Sequence, residues 1–425
     1  VAERLRTSIL KCYYIEMRSL KRKLTFSGVD TLVSELEHKL YRSVFYSKGE
    51  IYITLEELLT QLNKIRTIII EKHQSLYLDE LEAFLVKINL FGFHFATLDI
   101  RQNSKIHNAV FKDVVDFYLN SGSEIFPKNY FDLSEEEKLG VLSKVKGDLN
   151  SADFENEITR STLESVQTIK SIQQANGESG ANRYIISNNE SALNVMETFA
   201  MIRLNNWENP TVDIIPLFES VDDLQNAHSI MEQLYTNPEY AKHLKSRGNE
   251  QTIMLGFSDG TKDGGYLMAN WSIFKAKVEL TETAEKHNIK LAFFDGRGGP
   301  PSRGGGKTHR FYASMGKEIA NKNIQLTIQG QTISSQYGSI DSAAFNIEQL
   351  INAGISSGVK EKHNVLLDKA NYDTLEVMAS DSYDAFLALR KHPLFLSYLE
   401  TMSPLSLLSK ITISSRPVKR NSGEA

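Results

Sequence analysis

Two carboxylates stand where an apolar run ends and a helical pattern begins. Glu219 follows VDIIPLF (212–218), and Asp259 follows TIMLGF (252–257) inside GFSDGTKDGG. Acids on neighbouring strand ends are oxygen donors for a hard divalent cation, Mg2+ or Mn2+, whose other positions are filled by water and substrate oxygens. Asp222 and Asp223, in the same PLFESVDDL segment, read instead as first-turn acids favouring the next helix dipole. Zinc is not indicated, because the sequence has neither paired Cys/His spacing nor HExxH.

Cations gather at similar places. Arg101 follows FATLDI (95–100), and Lys262 lies three residues beyond Asp259 in a glycine-punctuated turn before YLMANWSIFKAKVEL. Arg297 and Arg303 stand six apart in and around GRGGPPSRGGG (296–306), and Arg416 sits in SSRPVKR with Lys419 and Arg420. Glycine lets backbone amides approach an anion, and arginine supplies a planar fork matching phosphate or carboxylate. The loop is not a Walker loop, since it lacks the GxxxxGK[ST] order at a helix start. Taken singly, a strand-end arginine is more often a packing or surface residue, and SSRPVKR a solvated basic turn. Taken together, these residues suit a small polyanionic substrate held with a divalent metal.

The same glycine–arginine composition would serve an RGG-type RNA contact. Against that, the loop follows the buried-type run IKLAFF (289–294), does not repeat, and has only Phe311 and Tyr312 as nearby aromatics. His94, in FGFHFATLDI, reads as a core or pocket-wall histidine, and His309, just past the glycine loop, is a functional candidate outweighed by a structural reading.

These residues need a frame. Seven short apolar runs of strand type occur: 95–100, 184–187, 212–218, 252–257, 289–294, 324–329 and 411–415. Helical patterns fill the longer gaps, which argues for parallel βα units. Each run is followed by polar residues: Arg101, Asn188, Glu219, Ser258 with Asp259, Asp295 with Arg297, Gln331, and Arg416. A (β/α)8 barrel builds its active site at these strand ends. An open doubly wound sheet places ligands there too and remains the alternative. The expected fold class is α/β, a TIM-type barrel embedded in a predominantly helical protein and incomplete in this chain. Residues 1–90 are expected to be a helical region packing on the barrel, and 91–425 most of the barrel with helical insertions. Ser134, before EEEKLGVL, reads as a helix N-cap.

Composition sets outer limits. At 425 residues and 41% hydrophobic, the chain can fill a substantial core. A net charge of −5 argues against a general polyanion binder, so any anion site is a local basic pocket. The single cysteine, Cys12, leaves no internal disulfide framework and suits a reducing cytoplasm. No apolar run approaches membrane-spanning length. The chain opens at Val1 and closes on RNSGEA, and we expect a piece of a longer polypeptide with an eighth strand upstream.

The segments FGFHFATLDIRQNSKIH, PLFESVDDLQNA, MLGFSDGTKDGG, FFDGRGGPPSRGGG, IQGQTISSQYG and ISSRPVKRNSG, in this order, resemble successive motifs of phosphoenolpyruvate carboxylase. The resemblance spans Leu78 to Ala425. It implies a cytoplasmic, anaplerotic lyase that joins bicarbonate to phosphoenolpyruvate, giving oxaloacetate and phosphate. The implied fold is a helix-wrapped (β/α)8 barrel, and the implied cofactor is Mg2+ or Mn2+. Glu219 and Asp259 match metal ligands, while Arg101, Arg297 and Arg416 match arginines on substrate anions. Lys262 matches a lysine near bicarbonate. Arg303 matches a loop arginine tied to catalysis and to inhibition by aspartate or malate. The resemblance further implies a homotetrameric parent without nucleic-acid or membrane partners. Another metal-dependent barrel acting on phosphoenolpyruvate or a related acid is the runner-up.

Three departures from the family pattern stand out. Asp295 occupies the place of a usual histidine and is expected to pair with Arg297 or another arginine. Lys307 replaces a small residue or proline after the glycine run. The family's catalytic histidine motif is absent, so the isolated chain is expected to lack turnover.

Overall fold

The computed structural model describes residues 1–46, 52–297, 306–316, 318–320, 322–328, 330–359, 368–404 and 407. They form two compact units, each discontinuous in sequence. The first is Val1–Arg101 with Lys146–Tyr184 and Met201–Asp213; the second is Gln102–Val145 with Ile185–Ala200 and the described residues from Ile214 onward.

The first unit begins with α1 (Ala2–Lys21), α2 (Asp30–Phe45), α3 (Leu55–Lys72) and α4 (Leu78–Phe91). Thr54 starts α3 by accepting the Glu57 N–H on its hydroxyl. Leu58, Leu62, Ile65 and Ile69 then recur on one face of α3 and are buried. They join Leu36 and Leu40 of α2 and Phe84 and Ile88 of α4 in one core. Each such side chain contributes about 1.5–3 kcal/mol relative to exposure. What reads in sequence as one long helical pattern is divided between α3 and α4 by Gln74, Ser75 and Tyr77, all at positive φ.

From there the order is β1 (Asp99–Asn103), α5 (Ser104–Asn120), α6 (Glu135–Leu142), α7 (Glu157–Asn176), β2 (Arg183–Ser187), α8 (Ala192–Leu204) and β3 (Asp213–Phe218). It continues through α9 (Val221–Thr236), α10 (Pro238–Ser246), β4 (Glu250–Leu255), α11 (Phe257–Lys286), β5 (Lys290–Asp295) and α12 (Thr308–Ala313). The described chain closes with β6 (Ile324–Leu326), α13 (Gly330–Tyr337), α14 (Ile340–Val359), α15 (Lys369–Arg390) and α16 (Phe395–Met402). Six of the seven expected strands appear within a few residues of their predicted places, while 411–415 lies outside the described residues. The first strand starts at Asp99 rather than at residue 95. Phe95 bonds back to the Phe91 carbonyl at 2.7 Å with φ +66°, so residues 91–96 prolong the end of α4 as a turn.

The sheet runs in chain order, β1-β2-β3-β4-β5-β6, with β3 to β6 pairing in parallel. A doubly wound sheet reverses its order at a switch point. The described strands show no reversal, and this succession is the one a (β/α)8 barrel has over six of its strands. The fold is thus α/β, mostly helical, around an open parallel sheet. The N-cap reading of Ser134 holds, since it forms a capping box with Glu137; Ser220 forms a second one with Asp223.

A buried polar group lies between α5 and α8 in the second unit. His107 Nδ1 is 2.8 Å from the Thr198 hydroxyl. The Asn108 amide, with its nitrogen toward the carboxyl, donates to Glu197 at 2.7 Å and to the Ser104 carbonyl at 3.0 Å. Burial pushes the Glu197 carboxyl up to about 8, opposed by Lys138. Below that value the folded state holds a proton that the unfolded chain has already released, so stability falls as pH rises from the ordinary carboxyl range to about 8. Glu197→Gln removes that slope. Its thermal midpoint relative to wild type is expected to rise between pH 5 and pH 8.5; a difference that stays constant contradicts the assignment.

Candidate active site at the strand ends

The strand ends share one level. Phe218 pairs with Leu255, Leu255 with Asp295, and Asp295 with Leu326, so the C-terminal residues of β3 to β6 form a single row. The ladder extends one step further, with Gly256 N–H on the Phe218 carbonyl at 2.9 Å and Gly296 N–H on the Leu255 carbonyl at 2.8 Å. Residues just beyond the row, Glu219 and Arg297 among them, are therefore delivered to one rim by strand register.

Glu219 has one carboxylate oxygen fixed by the Asn188 N–H at 2.8 Å. Asn188 follows β2 at φ +55°, a conformation that asparagine tolerates better than most residues. Its own carbonyl accepts from the Ser104 hydroxyl. Gly256 lets the chain pass close to Glu219, because a Cβ there would lie 3.2 Å from the Glu219 Cα. The first turn of α11, which carries Asp259, is thereby packed directly against Glu219.

GFSDGTKDGG is helical for most of its length, not a turn. Phe257–Lys286 is broken only at Gly265, with φ +74° and ψ +172°. Arg390 of α15 braces the segment before the break, donating to the carbonyls of Lys262 at 2.7 Å and Asp263 at 2.9 Å. Asp263 in turn accepts the Val221 N–H at 3.0 Å. On this turn Lys262 forms an ion pair with Asp259 at 2.9 Å, with 64% of the Lys262 side chain exposed. Lys262 and a cation would share the same carboxylate.

Among the described residues, no group of three or more His, Cys, Asp or Glu side chains could hold a metal. Two carboxylates are oxygen donors that match the chemistry of Mg2+ or Mn2+, which keep several water and substrate ligands. The donor set on this rim fits such an ion.

The opening of the glycine loop is built around Asp295. Its carboxylate is fully buried, with Lys277 Nζ of α11 at 2.7 Å from Oδ1 and 3.0 Å from Oδ2. The Tyr312 hydroxyl donates to Oδ2 at 2.7 Å. Burial lowers the Lys277 pKa, and Asp295 opposes that shift. Tyr312 is pushed far up, first by burial and then by the adjacent Asp295, and so stays a donor. Two residues on, Arg297 lays its guanidinium over the Phe311 ring, 4.1 Å from the centroid. A Cβ on Gly306 would lie 3.8 Å from Arg297 Nη2, so both described ends of the loop meet at this guanidinium. An arginine stacked and partly buried in this way is unlike the solvated cation of an RGG tail. A cavity of about 500 Å³ opens beyond Gly306, lined in part by Lys307, His309, Gln336, Tyr337 and Asn346.

Glu219, Asp259, Lys262 and Arg297 thus belong to adjoining strand ends of the second unit. Arg101 is exposed on β1 and belongs to the first unit. Arg303 and Arg416 lie outside the described residues. His94 is partly buried, and that burial lowers its pKa. Lys277 was not anticipated, and Asn188 and Tyr312 were named at the strand end and beside the loop without a role. Lys277 had a signal: Ile273, Lys277, Leu280 and Ala284 share one buried helical stripe, a place where a lysine needs a partner.

Residues 4–425 match the family model for phosphoenolpyruvate carboxylase. The chain belongs to the phosphoenolpyruvate carboxylase family. It is 33% identical over 345 residues to a phosphoenolpyruvate carboxylase of Nitrosomonas eutropha, covering 78% of this chain and 36% of that protein. A phosphoenolpyruvate carboxylase of Nitrosomonas europaea is 33% identical over 344 residues, with the same coverage. The chain therefore spans about a third of the length of the curated relatives it matches. Among the described residues, no helix is long and apolar enough to cross a membrane. Asp295, for which the sequence resemblance implies a histidine, is a buried aspartate matched by the buried Lys277.

The tight passage from Asp295 to Arg297 depends on glycine. A Cβ at Gly296 would stand 2.7 Å from the Leu255 carbonyl oxygen, and backbone cannot yield as a flexible side chain can. Gly296→Ala is expected to cost about 1–3 kcal/mol in chemical denaturation. An unchanged unfolding midpoint would show that the strand ends relax freely.

Proposed function

We propose that this strand-end rim takes part in carboxylation of phosphoenolpyruvate by bicarbonate, giving oxaloacetate and phosphate. The observation that carries the reading is the register row, which delivers Glu219, the Asp259 turn and Arg297 to one level. The family match over 4–425 supports phosphoenolpyruvate as the substrate class for that geometry.

Glu219 and Asp259 would hold Mg2+ or Mn2+, which when bound supplies positive charge against developing enolate and phosphate oxygens. The Asn188 N–H fixes the Glu219 carboxylate beforehand, so little reorganisation accompanies binding. Arg297 presents a guanidinium, already flattened on Phe311, to phosphate or carboxylate oxygens. In the proposed reaction bicarbonate oxygen attacks phosphorus, the bond from phosphorus to the enol oxygen breaks, and carboxyphosphate and pyruvate enolate result. Loss of phosphate frees CO2, which the enolate carbon captures. Lys262, released from Asp259, would meet the bicarbonate. On family grounds we further assign the whole protein to the cytoplasm as a homotetramer, with aspartate or malate as effector through Arg303.

Calorimetric titration of the 425-residue chain with Mn2+ tests the metal assignment. Glu219→Gln and Asp259→Asn are each expected to abolish or greatly weaken binding. Lys262→Gln removes the competitor for Asp259 and is expected to tighten binding by about two- to fivefold, the range of an exposed ion pair. Mn2+ affinity untouched by either carboxylate substitution would overturn the assignment.

A further inference from the structure

Asp295 presents an electrostatic choice. A fully buried carboxylate requires a cation, and two lie within reach of its segment: Lys277 across from it on α11, and Arg297 two residues ahead. The structure places the Lys277 ammonium against both carboxylate oxygens. That ammonium is itself enclosed, 1% exposed, between the rings of Phe293 at 4.8 Å and Phe311 at 5.3 Å. Phe311 is also the ring on which Arg297 stacks, and its neighbour Tyr312 bonds to Asp295. One aromatic therefore separates a buried lysine committed to Asp295 from the arginine at the loop mouth.

We propose that Lys277 is a positioning residue for anion binding: by neutralising Asp295, it leaves the Arg297 guanidinium flat on Phe311 and directed to substrate oxygens. The proposal rests on reading Arg297 as a contact for the phosphate or carboxylate of phosphoenolpyruvate. Without the ammonium, the Asp295 charge draws Arg297 inward and the loop mouth loses its cation. Tyr312 is the second fixed point, tying the short helix that carries Phe311 to the end of β5.

The test is phosphoenolpyruvate binding to the chain in the presence of Mn2+, with Mn2+ affinity alone and thermal midpoint measured on each variant. Lys277→Met is expected to weaken phosphoenolpyruvate binding about ten- to a hundredfold, the scale of a charge-assisted hydrogen bond, with Mn2+ affinity unchanged. Lys277→Gln combined with Asp295→Asn replaces the ionic pair by a neutral one, and is expected to restore phosphoenolpyruvate affinity to within about threefold of wild type. Tyr312→Phe, a smaller cut that keeps the pair, is expected to cost about tenfold and serves if Lys277→Met does not fold. A double variant as weak as Lys277→Met, or a Tyr312→Phe variant that binds normally, overturns the proposal. Arg297→Ala separates the two readings. If it leaves phosphoenolpyruvate binding intact, the role of Arg297 fails; if it abolishes binding while Lys277→Met does not, the role of Lys277 alone fails.

Discussion

A lysine and an aspartate, both shut away from water, constrain this end of the second unit. Removing an ion from water costs several kcal/mol even after relaxation, so neither Lys277 nor Asp295 could sit where it does alone. Together with the Tyr312 hydroxyl they join α11, the end of β5 and α12. Each of those elements carries something the rim needs: α11 bears Asp259 at its start, β5 leads into Gly296 and Arg297, and α12 carries Phe311. A purely apolar contact could fasten the same elements, but it would not settle where the charges lie. An ion pair sealed by aromatics does both.

The remaining geometry follows from strand register and close approach. Parallel pairing puts Phe218, Leu255 and Asp295 side by side, so the residues that follow them emerge together. Gly256 and Gly296 occupy the next step, where a Cβ would press on Glu219 or on the Leu255 carbonyl. Glycine there is a requirement of packing between adjacent strands. The positive φ of Gly265 is a different requirement, breaking α11 so that its first turns face the rim while its long second part lines the sheet.

Much of this was legible in the sequence, and the unread part has a physical cause. Strand-end polarity located Glu219, Asp259 and Arg297, because alternating apolar runs and helical patterns leave few other topologies. Asp222 and Asp223 were rightly separated from Glu219, since Ser220 sits ahead of them as an N-cap. The glycine-rich start of α11 was misread as a turn because glycine lowers helix propensity locally, whereas packing against Glu219 and Val221 demands small residues in a helix. Asp295 was expected to pair with an arginine, Arg297 being the nearest cation in sequence. Its partner instead lies 18 residues earlier on the buried stripe of α11, a long-range pairing that local pattern does not reveal.

The central claim is that Lys277, by neutralising Asp295, keeps the Arg297 guanidinium over Phe311, where it meets the substrate. A crystal structure of the chain with Mn2+ and phosphoenolpyruvate tests it most directly. The account predicts the Arg297 guanidinium on substrate oxygens and still over Phe311, with the Lys277 ammonium against Asp295. Arg297 folded back onto Asp295, with the ligand anchored by other residues, would contradict it.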